Sequence, residues 1–149
     1  VGFPGESEED FIDTLDAGTS AEKVILAGSS SANTIKAGSG GSELWGGTGA
    51  SADVLYGGNG VDRFYYGTGE GKDTIVNGSV DDVVYFYSAD YICTEYHMYG
   101  NNLVVSSLDG NSLTIRDWTE TSLNTFDFAD GHECKIVRTA NGLTDYRTK

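Results

Sequence analysis

The nine residues Gly57 to Tyr65, "GGNGVDRFY", combine three glycines, one aspartate and an aromatic end. Glycine adopts positive φ at no steric cost, so we expect Gly57, Gly58 and Gly60 to form a tight turn with inward-facing carbonyl groups. Asp62 adds a carboxylate where this turn ends. The three residues after it favour a short strand whose middle side chain points opposite to its neighbours. The stretch therefore predicts a unit of turn, oxygen ligand and strand.

This unit recurs without interruption from Ala17 to Val76. The successive copies are "AGTSAEKVIL", "AGSSSANTIK", "AGSGGSELW", "GGTGASADVLY", "GGNGVDRFY" and "YGTGEGKDTIV". Each copy ends in apolar residues that favour a strand. One repeat cannot bury its own apolar side chain, but stacked repeats bury a continuous file of them. The predicted interior file consists of Ile35, Leu44, Leu55, Phe64 and Ile75.

The repeat resembles the nonapeptide of RTX proteins, G-G-x-G-x-D-x-U-x with U a large apolar residue, which is a calcium-binding β-helix repeat. "GGNGVDRFY" matches this motif at every fixed position. The resemblance implies a right-handed parallel β-roll in which two nonapeptides form one turn. It also implies that Ca²⁺ lies between loops two repeats apart.

The resemblance assigns the aspartate position of the motif to Asp62, and to Asp53 and Asp73 in the two looser copies on either side. Ca²⁺ takes about six to eight oxygen ligands, so backbone carbonyl groups would have to contribute. The implied metal-ligating residues are Asp53, Asp62, Asp73, Gly47, Gly49, Gly58, Gly60 and Gly67.

Two earlier copies depart from the motif, because Asn33 and Ser42 stand where it has aspartate. Both residues bind a cation more weakly than a carboxylate does. We therefore expect roughly zero to three Ca²⁺ ions, near residues 46–78. The alternative is a β-roll held by its apolar file and by hydrogen bonds alone.

The repeat stops after residue 78, and two hairpins are predicted in its place. In "NNLVVSSLDGNSLTIRDW" two strands flank an Asp-Gly turn, and "FDFADGHECKIV" has the same arrangement. RTX modules often follow their repeats with similar stretches in this order. An uncapped parallel stack exposes a sheet edge and apolar core, which these antiparallel strands would cover.

The predicted organisation is an acidic lead-in at residues 1–16, β-roll repeats at residues 17–78 and a capping segment at residues 79–149. The predicted fold class is all-β, a right-handed parallel β-roll, or β-solenoid, capped by antiparallel C-terminal strands. Nine tyrosines accompany these strands, and we expect alternation to bury about half of those in the middle third.

The charge of the chain restricts its partners. Lys plus Arg number 9 and Asp plus Glu number 23, giving a net charge of −14. This charge repels phosphate, which argues against nucleic acid and anionic membrane as partners and favours cations. No apolar run is long enough to predict membrane insertion.

Catalysis is not predicted. The two histidines, His97 and His132, have no partner at a metal-binding spacing, and the motifs H-E-x-x-H and G-x-S-x-G are absent from the sequence. We therefore expect that the chain is not an enzyme.

Cys93 and Cys134 are the two cysteines. In an extracellular protein they would suggest a disulfide closing a loop of about 40 residues. RTX-like proteins are poor in cysteine, however, and buried free thiols are common core residues. Both interpretations stay open, and we favour the disulfide.

The resemblance implies an extracellular protein exported by bacterial type I secretion, which folds when it meets calcium outside the cell. Our leading hypothesis is a calcium-binding β-roll module that serves as a folding and secretion domain, or as a spacer, of a larger secreted or surface protein. One alternative is a self-assembling subunit of a surface layer, fibre or adhesin that binds few or no ions and contacts copies of itself or other surface proteins. Another is the non-catalytic tail of a secreted hydrolase.

Overall fold

The computed structural model describes residues 14–67, 69–89, 94–107 and 110–149, which contain strands and no helix. The strands are β1 (Thr14–Asp16), β2 (Val24–Ala27), β3 (Thr34–Lys36), β4 (Ser42–Trp45), β5 (Val54–Tyr56), β6 (Arg63–Tyr66), β7 (Lys72–Val76), β8 (Val83–Phe86), β9 (Thr94–Tyr99), β10 (Asn102–Ser107), β11 (Ser112–Ile115), β12 (Phe126–Phe128), β13 (Glu133–Thr139) and β14 (Gly142–Arg147). They form two seven-stranded sheets. Sheet A has the order β1-β3-β5-β7-β11-β10-β9, and sheet B has the order β14-β13-β12-β8-β6-β4-β2. None of the described segments forms a helix that could span a bilayer.

Strands β1 to β8 form a parallel β-solenoid, because the chain alternates between the two sheets and each strand pairs with the strand two places later. In sheet A, Leu15 pairs with Ile35, Ile35 with Leu55, and Leu55 with Ile75. A turn of the solenoid therefore contains two sequence repeats. The six strands predicted from the repeats are all present, and the predicted fold class, an all-β solenoid, is confirmed.

The predicted interior file is also confirmed. Ile35, Leu55 and Ile75 from sheet A and Leu44 and Phe64 from sheet B are at most 1% exposed and belong to one core cluster. Burying each such side chain contributes about 1.5–3 kcal/mol. Alternation along short strands is therefore sufficient to place the core between the two sheets.

The C-terminal region continues the parallel stack before it turns antiparallel. Strand β8 pairs in parallel with β6, so the solenoid extends beyond residue 78 to Phe86. Strands β11 and β12 then pair in parallel with β7 and β8. The remaining strands pair antiparallel, β10 and β9 in sheet A and β13 and β14 in sheet B. Both predicted hairpins, β10 with β11 and β12 with β13, are confirmed.

The glycines of "GGNGVDRFY" do not have the conformation that the sequence predicts. The glycines with φ in the left-handed region include Gly47 and Gly49 but not Gly57, Gly58 or Gly60. These three are instead needed for the close approach of stacked loops. A Cβ atom on Gly58 would lie 2.2 Å from the carbonyl oxygen of Gly38. The expectation of positive φ at these positions was wrong, because the steric restriction comes from the neighbouring turn.

The tyrosines of the middle third are less buried than expected. Among those that the structure describes, Tyr66 alone is buried, and Tyr99 is 76% exposed. Tyr65 and Tyr85 are paired in register on the outer side of sheet B. The expectation that about half would be buried was wrong, because small and aliphatic residues occupy most inward positions. Tyr91 lies outside the described residues.

Cys134 is buried on β13 and forms no disulfide with any residue that the structure describes. Its Sγ atom lies 3.4 Å from the hydroxyl oxygen of Tyr96. Burial raises the pKa of this thiol to about 12, which disfavours the reactive thiolate. Cys93 lies outside the described residues, so its pairing with Cys134 stays a prediction.

Candidate functional site

The loops of the solenoid stack along two edges. Edge A is formed by the loops that precede β3, β5 and β7, and edge B by the loops that precede β4, β6 and β8. Along each edge, the residue just before the paired strand positions is polar and buried. Each edge therefore carries a row of stacked polar side chains, which we call ladder A and ladder B.

Ladder A consists of Asn33, Asp53 and Asp73, which are at most 3% exposed. The backbone N–H of Asn33 donates to Oδ1 of Asp53 (2.7 Å), and the N–H of Asp53 donates to Oδ1 of Asp73 (2.9 Å). The side chain of Asn33 accepts the N–H of Ser29 at 2.8 Å. Each carboxylate thus bonds the backbone one turn below it. The ladder ends at Leu113, which pairs with Asp73 on the next strand.

Ladder B consists of Ser42, Asp62 and Asp82, all at most 1% exposed. The N–H of Asp62 donates to Oδ1 of Asp82 at 2.8 Å, which repeats the geometry of ladder A. The second oxygens are also engaged, because Gly58 N–H donates to Oδ2 of Asp62 and Ser79 N–H donates to Oδ2 of Asp82, both at 2.8 Å. Asp82 therefore accepts two backbone N–H groups, whereas Asp62 accepts one.

The predicted carboxylates are divided between the two edges. Asp53 and Asp73 meet on ladder A, whereas Asp62 lies on ladder B. Its neighbour there is Asp82, which the sequence analysis did not single out as a ligand. A signal for Asp82 was present, since "NGSVDDVVY" keeps the D-x-U spacing although its glycines are mostly lost.

Glu70 is a further buried carboxylate that sequence reasoning missed, and it is 4% exposed. Oε1 of Glu70 accepts the indole N–H of Trp45 (2.9 Å) and the hydroxyl of Tyr87, and Oε2 accepts the N–H of Gly67 at 2.7 Å. No local pattern marks Glu70, because its partners come from three different loops and strands.

Burial and like charge raise the pKa values of the ladder carboxyls. Burial raises the pKa of Asp53 to about 6, and the nearby charge of Glu70 adds to the effect. Burial raises the pKa of Asp73 to about 7, with Asp53 and Glu70 contributing. On ladder B, burial raises the pKa values of Asp62 and Asp82, against the hydrogen bonds of Gly58 and Ser79. No Lys or Arg in the described part of the chain forms an ion pair with these four aspartates.

The predicted glycine ligands occupy several environments. Gly47 and Gly49 have φ of 105° and 103° in the loop before β5. A Cβ on Gly47 would lie 2.2 Å from the carbonyl oxygen of Ser29, and a Cβ on Gly60 would lie 2.2 Å from the backbone nitrogen of Gly41. On edges A and B alike, glycine lets neighbouring loops approach backbone to backbone.

Gly67 differs from these glycines, because it contacts side chains. A Cβ on Gly67 would lie 2.5 Å from the ring of Tyr87. The sequence predicts Gly67 as a carbonyl ligand, and the structure shows its N–H bonded to Glu70.

The donor set on both edges fits Ca²⁺ in its chemistry, because it consists of oxygen atoms. Oδ1 of Asp62 and Oδ2 of Asp73 are buried and have no hydrogen-bond partner in the structure. Around Gly28, a Cβ would lie 2.4 Å from both Oδ1 of Asn33 and the carbonyl oxygen of Gly46, so oxygens of two loops converge there. Within the described ranges no group of three or more His, Cys, Asp or Glu side chains could hold a metal. Carbonyl oxygens would therefore have to complete any coordination shell.

The two histidines lie in the C-terminal region. His132 Nδ1 is 2.9 Å from Oδ2 of Asp130, and its Nε2 is 2.9 Å from a guanidinium nitrogen of Arg147. His97 lies on β9 of sheet A, whereas His132 directly precedes β13 of sheet B.

The sequence matches no family model and no curated protein. The comparison with RTX proteins therefore depends on the residues and the fold described above.

Proposed function

We propose that this chain is an extracellular calcium-binding β-roll module of a larger secreted or surface protein. The observation that carries the proposal is the stacking of buried carboxylates, Asp73 above Asp53 on one edge and Asp82 above Asp62 on the other. These pairs lie in loops that the sequence repeat relates to a calcium-binding motif.

Electrostatics supports a cation at these ladders. Ionised carboxylates that are buried together pay both a desolvation cost and mutual repulsion. A divalent cation offsets both costs, so its binding energy becomes folding energy. The net charge of −14 adds repulsion that cations would screen.

This coupling suits a module that folds after export. Where calcium is scarce, ionised ladder carboxylates would oppose stacking of the turns, and where calcium is plentiful the ion would stabilise it. The proposed role is calcium-triggered folding during bacterial type I secretion, or a calcium-stiffened spacer. The same behaviour would suit the non-catalytic tail of a secreted hydrolase.

Thermal unfolding at neutral pH, followed by circular dichroism in EDTA and in calcium, tests the proposal. We expect calcium to raise the unfolding midpoint, and Asp73→Asn to reduce this gain. The matched control is Asp81→Asn, since Asp81 is adjacent to ladder B but exposed. Equal midpoints in EDTA and calcium for the unsubstituted chain would contradict the proposal.

A second candidate function is self-assembly into a surface layer, fibre or adhesin. Within the described residues, β1 and β2 are the terminal strands of the two sheets, so each pairs on one side only. An open parallel edge can pair with another chain. Analytical sedimentation over a range of protein concentrations tests this function. A molecular mass that increases with concentration supports self-assembly, and the mass of a monomer at every concentration contradicts it.

A further inference from the structure

The outer side of sheet B carries a cleft that is separate from both ladders. Its volume is about 380 Å³, within the range of about 300–1,000 Å³ typical of small-molecule sites. In sheet B, Ala27 pairs with Trp45 and Trp45 with Tyr65, so their side chains stand side by side on neighbouring strands. The lining residues are Ile25, Ala27, Glu43, Trp45, Tyr65 and Tyr87.

Three aromatic rings form a concave wall in this cleft. The rings of Trp45 and Tyr87 have centroids 6.4 Å apart and planes at 80°. The rings of Tyr65 and Tyr87 have centroids 6.5 Å apart and planes at 50°. Rings inclined in this way partly surround a compact group, whereas a flat ligand would need a coplanar platform.

The polar hydrogens of all three rings are used inside the protein. The indole N–H of Trp45 and the hydroxyl of Tyr87 both donate to Glu70. The hydroxyl of Tyr65 donates to Oε1 of Glu43 at 2.5 Å. These bonds orient the rings and leave the cleft with ring surfaces and one carboxylate, that of Glu43, but few donors.

Such a lining favours a cation over a sugar. A sugar needs both donors and acceptors, and the donors here are engaged. A cation without N–H groups needs only ring faces and negative potential. Glu43 lines the cleft, and the exposed Lys23 lies 3.9 Å from it, a distance at which an ion pair contributes little. Arg63 pairs in register with Glu43 on the next strand, but its guanidinium stacks on tyrosine rings and forms its ion pair with Asp127.

The same row of aromatic side chains already holds a cation of the protein. The guanidinium of Arg63 lies 4.7 Å from the ring centroid of Tyr85 and 5.5 Å from that of Tyr65. In the part of the chain that the structure describes, the stacked cations are Lys36, Arg63 and Arg138, and their rings do not include Trp45 or Tyr87. The cleft therefore continues the row of aromatic rings on which Arg63 stacks, and it adds the rings of Trp45 and Tyr87, which hold no cation of the protein among the described residues.

We propose that this cleft binds a quaternary ammonium group, the trimethylammonium head of a choline-type ligand. The inclined rings contact its methyl groups, Ile25 and Ala27 supply the apolar side, and Glu43 supplies the opposite charge. This inference is independent of calcium at the ladders and goes beyond the proposed function.

Calorimetric titration with choline chloride tests the proposal, because choline has a neutral isostere, dimethylbutanol, with a tert-butyl group in place of trimethylammonium. Saturable choline binding that is at least about tenfold tighter than binding of the isostere is expected. Equal affinities would overturn the proposal, since the cleft would then be only apolar. Absence of choline binding would also overturn it. Maltose serves as the sugar control, and maltose binding that is tighter than choline binding would overturn the proposal as well.

Variants locate the site. Trp45→Leu should weaken choline binding by about two- to thirty-fold, and Trp45→Phe by less, because the second retains a ring. Tyr99→Leu is the matched control, since Tyr99 is an exposed aromatic residue on the other sheet. A loss of binding in Tyr99→Leu equal to that in Trp45→Leu would overturn the location.

A vesicle experiment identifies the source of the ligand. Co-sedimentation of the unsubstituted chain with phosphatidylcholine vesicles, reduced in Trp45→Leu but not in Tyr99→Leu, would indicate a lipid headgroup. Binding of choline without vesicle binding would indicate a free small molecule. Either result supports the site, and failure of both would overturn it.

Discussion

The two edges of the solenoid carry the same ladder with a different balance of charge and hydrogen bonding. On edge B, Asp82 accepts two backbone N–H groups, from Asp62 and Ser79. On edge A, Asp73 accepts one, from Asp53, and its other oxygen has no partner. Edge A also has Glu70 close by, which raises the pKa of Asp73 further. Repetition therefore sets the stacking, whereas nearby residues set how many hydrogen bonds each carboxylate accepts and how far its pKa is raised.

The largest expected difference comes from removing a carboxylate. At about pH 5 in EDTA, Asp82→Ala should lower the free energy of unfolding by about 2–5 kcal/mol, because one buried and one partly buried N–H group lose their acceptor. Asp73→Ala should lower it by about 1–2 kcal/mol, since one N–H group is affected. Denaturant unfolding gives both values, with Asp81→Ala as the exposed control. If Asp73→Ala lowered the free energy of unfolding more than Asp82→Ala does, the difference in hydrogen bonding between the two edges would be contradicted.

The second prediction concerns pH in the absence of calcium. Asp53 and Asp73 have pKa values raised from 3.8 to about 6 and about 7, so the folded state binds protons more tightly than the unfolded chain. Their contribution is most favourable below about pH 4, and the free energy of unfolding should fall as pH rises from about 4 to 7. Asp73→Asn should flatten this slope more than Asp62→Asn does. Thermal unfolding in EDTA at a series of pH values measures it, and a rise in stability over this interval would contradict the assignment.

The third prediction restores the motif where the sequence departs from it. Asn33→Asp adds a carboxylate at the first position of ladder A without changing its size, and the side chain can still accept the N–H of Ser29. We expect a cost of about 1 kcal/mol in EDTA and a roughly 3- to 10-fold gain in Ca²⁺ affinity. Ser42→Asp is the corresponding change on edge B. Unchanged calcium binding in both variants would show that the ladders do not contribute ligands.

The sequence predicts the strands and the interior file, because these depend on local alternation within short repeats. The stacking of Asp53 with Asp73, which are 20 residues apart, follows from the RTX resemblance, in which loops two repeats apart share an ion. Asp82 could have been found from its D-x-U spacing. Glu70 could not, because its role depends on Trp45, Tyr87 and Gly67, which only the fold brings together. The glycines were placed correctly in the loops, but composition does not distinguish a need for positive φ from a need for space at Gly58.

The central claim is that the ladders are completed by Ca²⁺, and titration calorimetry of the EDTA-stripped chain at neutral pH tests it most directly. Circular dichroism is recorded on the same samples. The account predicts saturable heat accompanied by a gain of β signal or of thermal stability, both reduced in Asp53→Asn and Asp73→Asn. No heat from a chain that is already folded, and equally stable with and without calcium, would contradict it and leave hydrogen bonds and the apolar file as the stabilising interactions of the β-roll.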